Sequence, residues 1–147
     1  MAIEVIGIDH IYIAVSDLAR SQAFYDPLMS ALGFRKNAFG INGDPHIQYY
    51  NKLFGYVLRP ATANSASHDP YSPGLHHLCF RVEDKEAVVA LAAELGRLGL
   101  ECTDPALYPQ YAPDYHALFL NDPDGIRLEV TNFRQERKDR AAHWHEH

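Results

Sequence analysis

The stretch His10-Ile11-Tyr12-Ile13-Ala14-Val15-Ser16-Asp17 returns later in the chain as His77-Leu78-Cys79-Phe80-Arg81-Val82-Glu83-Asp84, with histidine on histidine and aspartate on aspartate at an offset of 67. In each copy apolar residues alternate with others: Ile11, Ile13 and Val15 in the first, Leu78, Phe80 and Val82 in the second. Period-two alternation is the mark of a strand with one greasy face and one face free for chemistry. A helical stretch follows each strand and ends in Ala31-Leu32-Gly33-Phe34 and in Arg97-Leu98-Gly99-Leu100, where the offset has become 66. One extra residue in the first helix or just before it accounts for the slip.

Working outward, Ser16 or Asp17 is a suitable N-cap, and Leu18, Phe24, Leu28 and Leu32 form the expected apolar stripe, with Pro27 expected to kink or shorten the helix. In the second copy the stripe is Val88, Leu91, Leu95 and Leu98, closed by Gly99 as C-cap. Extended aromatic segments come next: His46 to Tyr50 and Leu53 to Arg59 in the first copy, Tyr115 to Leu120 and Ile126 to Thr131 in the second, the last two joined by Asn121-Asp122-Pro123-Asp124-Gly125. The chain of 147 residues therefore reads as one α+β domain of two modules, about 3–60 and 75–133, with a Pro-, Ser- and Ala-rich linker at 61–74 and a charged, His-containing tail at 134–147, expected as a solvated or frayed helix.

Composition narrows the function. Net charge is −6 and no segment gathers Lys and Arg, so binding of nucleic acid or of an anionic membrane is not expected. The first residues lack the pattern of a secretory signal and no eighteen-residue apolar run occurs, which points to a cytoplasmic protein acting on a small molecule, with Cys79 and Cys102 as reduced thiols. Nine histidines and nine tyrosines are the unusual supply. By the repeat, His10 and His77 hold equivalent strand positions. In the last strand Ile126, Leu128 and Val130 take the apolar face, leaving Arg127, Glu129 and Thr131 on the other. His10, His77 and Glu129 thus match a two-histidine, one-carboxylate set, which leaves positions open on a divalent metal. His76 has the opposite parity and is the weaker ligand candidate.

These same segments, with Gly74-Leu75-His76-His77-Leu78-Cys79-Phe80-Arg81-Val82 and Asp122-Pro123-Asp124-Gly125-Ile126-Arg127-Leu128-Glu129-Val130, resemble the vicinal oxygen chelate superfamily, which includes glyoxalase I, bleomycin-resistance proteins, fosfomycin thiol transferases and extradiol dioxygenases. The resemblance spans residues 3–133 and implies two βαβββ modules forming an eight-stranded cup-like mixed sheet with flanking helices, around a metal held by His10, His77 and Glu129. It also implies a homodimer. Glyoxalase I takes a fourth ligand from the last strand of its first module; here that stretch, Phe54 to Pro60, has neither carboxylate nor amide. The remaining set is the one extradiol dioxygenases use with Fe(II), and fosfomycin transferases with Mn(II). Fe(II) is accordingly favoured, with Mn, Ni or Zn as alternatives, and a metal-free aromatic- or drug-binding protein is the reading outside enzymes. For an extradiol reaction, His116 and Tyr115 are the acid/base candidates. Tyr12, Gln48, Tyr50, Tyr56, Arg81 and Tyr111 are the expected pocket, with Arg59 or Arg81 available for a substrate carboxylate.

Overall fold

The computed structural model describes residues 1–146. The chain divides between His68 and Asp69 into two compact units, and the tail histidine His147 lies outside the described residues. The first unit holds β1 (His10–Val15), α1 (Leu18–Ala31), β2 (Arg35–Ile41), β3 (Asp44–Tyr50) and β4 (Gly55–Pro60); the second holds β5 (His77–Val82), α2 (Lys85–Arg97), β6 (Ala106–Leu107), β7 (His116–Asn121), β8 (Arg127–Asn132) and α3 (Gln135–Ala142). The eight strands form two four-stranded mixed sheets in the orders β1-β4-β3-β2 and β5-β8-β7-β6. In each, the first strand runs parallel to the last and the remaining pairs are antiparallel.

The repeat is visible in the caps. Asp17 and Asp84 each accept a hydrogen bond from the backbone N–H three residues on, and Gly33 and Gly99 end the helices at φ +85° and +76°, a conformation in which a Cβ is strained. The N-caps are 67 apart and the closing glycines 66, so the additional residue lies within α1, which has 14 residues against 13 in α2.

Two expectations for α1 need correcting. The helix runs on through Pro27 to Ala31. Proline removes the donor to the carbonyl four residues back, but that residue, Ala23, is exposed, so water can satisfy the freed oxygen. Asp26 also ties this part of the helix down by accepting from Tyr49 Oη at 2.7 Å and Lys36 Nζ at 3.0 Å. The buried residues are Ser21, Tyr25, Leu28 and Met29, of which the expected stripe contained only Leu28. Tyr25 can be buried in preference to Phe24 because its hydroxyl is 3.0 Å from that of Tyr56, so neither phenol is left unsatisfied there. In α2 the expected Val88, Leu91 and Leu95 are the buried residues.

The hairpin β2–β3 turns through Asn42-Gly43, both with positive φ. Asn-Gly is the dipeptide that a two-residue turn of this hand favours. In the second unit Asp122 Oδ1 accepts from the backbone N–H groups of Asp124 and Ile126, each at 2.9 Å, and so sets the phase in which β8 begins. No described helix is long and apolar enough to cross a membrane. Cys79 and Cys102 are free thiols.

Burial, and then the hydrogen bond to Asp26, hold the Tyr49 phenol far above its ordinary value near 10. Folded protein therefore keeps a proton that unfolded chain releases above pH 10, and stability falls as pH rises through that range. Urea titrations between pH 9 and 11 should show this decline. Its slope should be shallower in Tyr49→Phe by up to about 1.4 kcal/mol per pH unit.

Candidate functional site

The parallel register β5–β8 builds the site. His77 pairs with Arg127, Cys79 with Glu129 and Arg81 with Thr131, so these side chains share one face. Glu129 is only 3 % exposed although it sits on the chemistry-bearing face, because β8 is an interior strand of its sheet. A buried carboxylate needs hydrogen-bonding or charged partners. It accepts from the Tyr115 hydroxyl through Oε2, while Oε1 lies 3.4 Å from His77 Nε2. The other nitrogen of His77, Nδ1, is 2.8 Å from His76 Nδ1. One ring nitrogen is thus held by its neighbour in sequence, and Nε2 is left toward Glu129. On the first unit the same arrangement recurs: His10 Nδ1 is 2.6 Å from Asp9 Oδ2. Holding Nδ1 is the usual way to fix a ligating imidazole.

Tyr115 reaches Glu129 because Asn132 and Thr131 pin the chain on either side of it. Asn132 Nδ2 donates to the carbonyl of Asp114 at 2.9 Å, the His116 N–H donates to Asn132 Oδ1 at 2.9 Å, and Thr131 Oγ1 donates to the His116 carbonyl at 2.8 Å. Arg134, itself 6 % exposed, lays its guanidinium 4.4 Å from the centre of the Tyr115 ring. Burial first, then the bond to Glu129, raise the Tyr115 phenol well above its ordinary value, so it remains a donor to the carboxylate. Cys79 is exposed as a residue, but crowding around its sulfur, and then the adjacent Glu129, push the thiol up to about 12.

Around this pair the second unit encloses a cavity of about 570 Å³ lined by His77, Tyr111, Tyr115, Phe119 and Glu129, with Arg127, Arg134 and Arg137 among its charged residues. Tyr108 and Tyr111 stack at 5.8 Å, Tyr111 meets Tyr115 edge-on at 5.2 Å, and Tyr108 meets Phe119 at 5.5 Å, which makes one wall aromatic.

In the first unit Tyr12, Gln48 and Tyr50 lie on the face of His10: Tyr12 pairs with Val57, which pairs with Gln48, and His10 with Gly55, which pairs with Tyr50. Tyr12 meets the buried His46 edge-on at 5.6 Å. Among the described residues no three His, Cys, Asp or Glu side chains cluster as a metal site; the structure brings His77 and Glu129 together and carries His10 on the equivalent strand of the other unit.

Four expected positions are corrected. Tyr56 pairs with Ile11 and is fully buried against Tyr25 on the helix side of its sheet, away from the face of His10. His116 alternates with Tyr115 and therefore points the other way, beside Lys85, Glu86 and Val89 of α2. Only Tyr115 of that pair reaches Glu129. Arg59 is bound to Asp44 at 2.9 Å, and Arg81, although on the face of His77 and stacked at 3.9 Å on Phe133, is not among the residues that line the cavity, so neither stands where a substrate carboxylate in it would be met. Arg134, Arg137 and Phe119 were missed. Arg134 and Arg137 follow the last strand in what reads as a polar tail, and Phe119 reads as one more apolar strand residue.

The superfamily Glyoxalase/Bleomycin resistance protein/Dioxygenase matches residues 7–130. The chain belongs to that superfamily. The uncharacterized protein YaeR of Escherichia coli is 31% identical over 136 residues, covering 84% of this chain and 93% of that one. Among solved structures, a glyoxylase/bleomycin resistance protein/dioxygenase domain from Frankia sp. EAN1pec superposes with a TM-score of 0.73 at 23% identity, over 89% of this chain and 100% of that one. A variant of the fosfomycin resistance protein FosX from Listeria monocytogenes, complexed with Mn(II) and 1S,2S-dihydroxypropylphosphonic acid, gives a TM-score of 0.66 at 15% identity, over 92% and 98% of the two chains.

Removing the hydroxyl in Tyr115→Phe leaves one oxygen of a buried carboxylate short of a donor, and should lower stability by about 1–3 kcal/mol in urea unfolding at pH 7. His116→Ala, which alters the opposite face, should leave the side-chain carboxyl carbon signal of Glu129 unshifted in carbon-detected NMR spectra.

Proposed function

We propose that the protein is a divalent-metal-dependent enzyme, most like a small extradiol dioxygenase, acting on an aromatic diol or another substrate that presents two neighbouring oxygens. The observation that carries this reading is the approach of His77 Nε2 to the buried Glu129 in an aromatic-walled cavity, with a second Nδ1-held histidine, His10, at the equivalent register position of the other copy. Two neutral imidazole nitrogens and a carboxylate suit a first-row divalent cation, Fe(II) above Mn, Ni or Zn. When bound, such a cation supplies Lewis acidity and, as Fe(II), redox chemistry with dioxygen. In this reading His10 joins His77 and Glu129 from the same chain or from the second copy of a homodimer, and the protein works in the cytoplasm.

The protein's own groups have distinct tasks. Tyr115 holds Glu129 in one orientation and retains its proton, and the wall of Tyr111, Tyr115 and Phe119 offers a stacking surface for a planar ring. A cavity of about 570 Å³ is within the range that small ligands use.

A lyase or thiol-transferase activity with Mn or Ni draws on the same donors, and the presence of Mn(II) in the FosX neighbour supports it as the second reading. A four-ligand glyoxalase site has less support. By register, Tyr12 pairs with Val57 where Cys79 pairs with Glu129, so the first copy has an aliphatic side chain in the place of the carboxylate.

Metal analysis of untagged protein should find about one divalent ion per chain. His10→Ala, His77→Ala and Glu129→Ala should each lose it, and full retention in two of the three would remove the proposed ligand set. After anaerobic reconstitution with Fe(II), oxygen uptake over a panel of catechols is the expected activity. Turnover of a hemithioacetal, or of an epoxide plus thiol, with Ni or Mn and without oxygen uptake would select the second reading. Protein that takes no metal yet binds aromatic ligands would be a binding module.

A further inference from the structure

The two copies differ beside their histidines. In β1–β4 the residue paired with His10 is Gly55; in β5–β8 the residue paired with His77 is Arg127. A Cβ at Gly55 would come within 3.2 Å of the Gln48 amide and 3.5 Å of His10 Cβ, so the first copy has little room for a side chain there. The second copy places a guanidinium on the same face as His77, two residues before Glu129.

The charges of the cavity are otherwise matched. Glu136 takes both Arg134, at 3.2 Å, and Arg137, at 3.9 Å, and Glu129 is held by Tyr115 and His77. Arg127 stands apart: among the described residues it makes no ion pair, and its guanidinium lies 4.5 Å over the ring of Phe119. Three arginines against two glutamates make the lining net positive before any metal or histidine proton is counted, in a chain whose net charge is −6. A guanidinium stacked on a ring keeps its N–H edge available, and that planar edge matches both oxygens of a carboxylate.

We infer that Arg127 anchors a carboxylate substituent of the substrate, so that the ligand of this cavity is an aromatic acid. The inference rests on the proposed site for the placement of the reacting oxygens, but the anchor itself needs no metal. That independence lets the two be tested apart.

The direct probe is benzoate, titrated into the metal-free full-length protein while the arginine Nε–Hε signals are followed by heteronuclear NMR, with benzyl alcohol as the neutral control. The signal absent from Arg127→Gln identifies Arg127. Benzoate should shift that signal and benzyl alcohol should not, and the Kd for benzoate should weaken at least about fivefold in Arg127→Gln, with Arg127→Lys between the two because it keeps charge without the fork. On Mn(II)-loaded protein, 3,4-dihydroxybenzoate should bind about tenfold more tightly than catechol, and Arg127→Gln should erase that preference. Equal benzoate affinity in the wild type and both variants, or equal shifts by acid and alcohol, overturns the inference. Should Arg127→Gln fail to fold by circular dichroism, the lysine variant carries the comparison. A wild type that takes up no metal but binds benzoate through Arg127 would remove the metal reading and leave the anchor standing.

Discussion

A carboxylate placed inside a sheet is the constraint around which the second unit is organised. Glu129 lies on an interior strand and is almost fully covered, and a buried carboxylate without partners is costly by several kcal/mol. Its two oxygens face two different elements, the phenol of Tyr115 and the imidazole of His77. Each of those is itself held: Tyr115 by the Asn132 and Thr131 bonds on either side of it and by the arginine on its ring, His77 by His76 at its far nitrogen. The turn at Asp122 sets the phase that brings Glu129 to this face at all. A one-residue slip in β8 would exchange it for Leu128 or Val130.

The framework was legible because it rests on repeated local signals. Alternation in His10–Val15 and His77–Val82, an aspartate at each helix start and a glycine at each helix end all recur, and in both copies they agree with the three-dimensional register. The phase of β8 was legible for the same reason, since Ile126, Leu128 and Val130 alternate strictly with the polar Arg127, Glu129 and Thr131.

What escaped the sequence lies where both faces of a strand are apolar. In β4, Tyr56, Val57 and Leu58 are all buried, so no polar residue tells which set faces the helix, and only the pairing of Tyr56 with Ile11 decides it. In β7 the same ambiguity joined His116 to Tyr115, although neighbours on a strand point to opposite faces. Strand β2 and its Asn42-Gly43 turn were not among the expected elements, although the dipeptide is the one such a turn favours. Arg134 was not readable: nothing local separates an arginine that packs on a tyrosine from the exposed charges of α3 that follow it.

One consequence concerns symmetry. Two modules with matching backbone register would present identical surroundings to a ligand if their side chains also matched. Here the equivalent positions hold Gly55 and Arg127, and Val57 and Glu129. The two copies thus share a backbone pattern and differ in chemistry, with charge of both signs on β8 and neutral side chains or none at the matching positions of β4. The same backbone register therefore offers a charged ligand two unequal faces, and only that of the second copy can compensate charge of either sign.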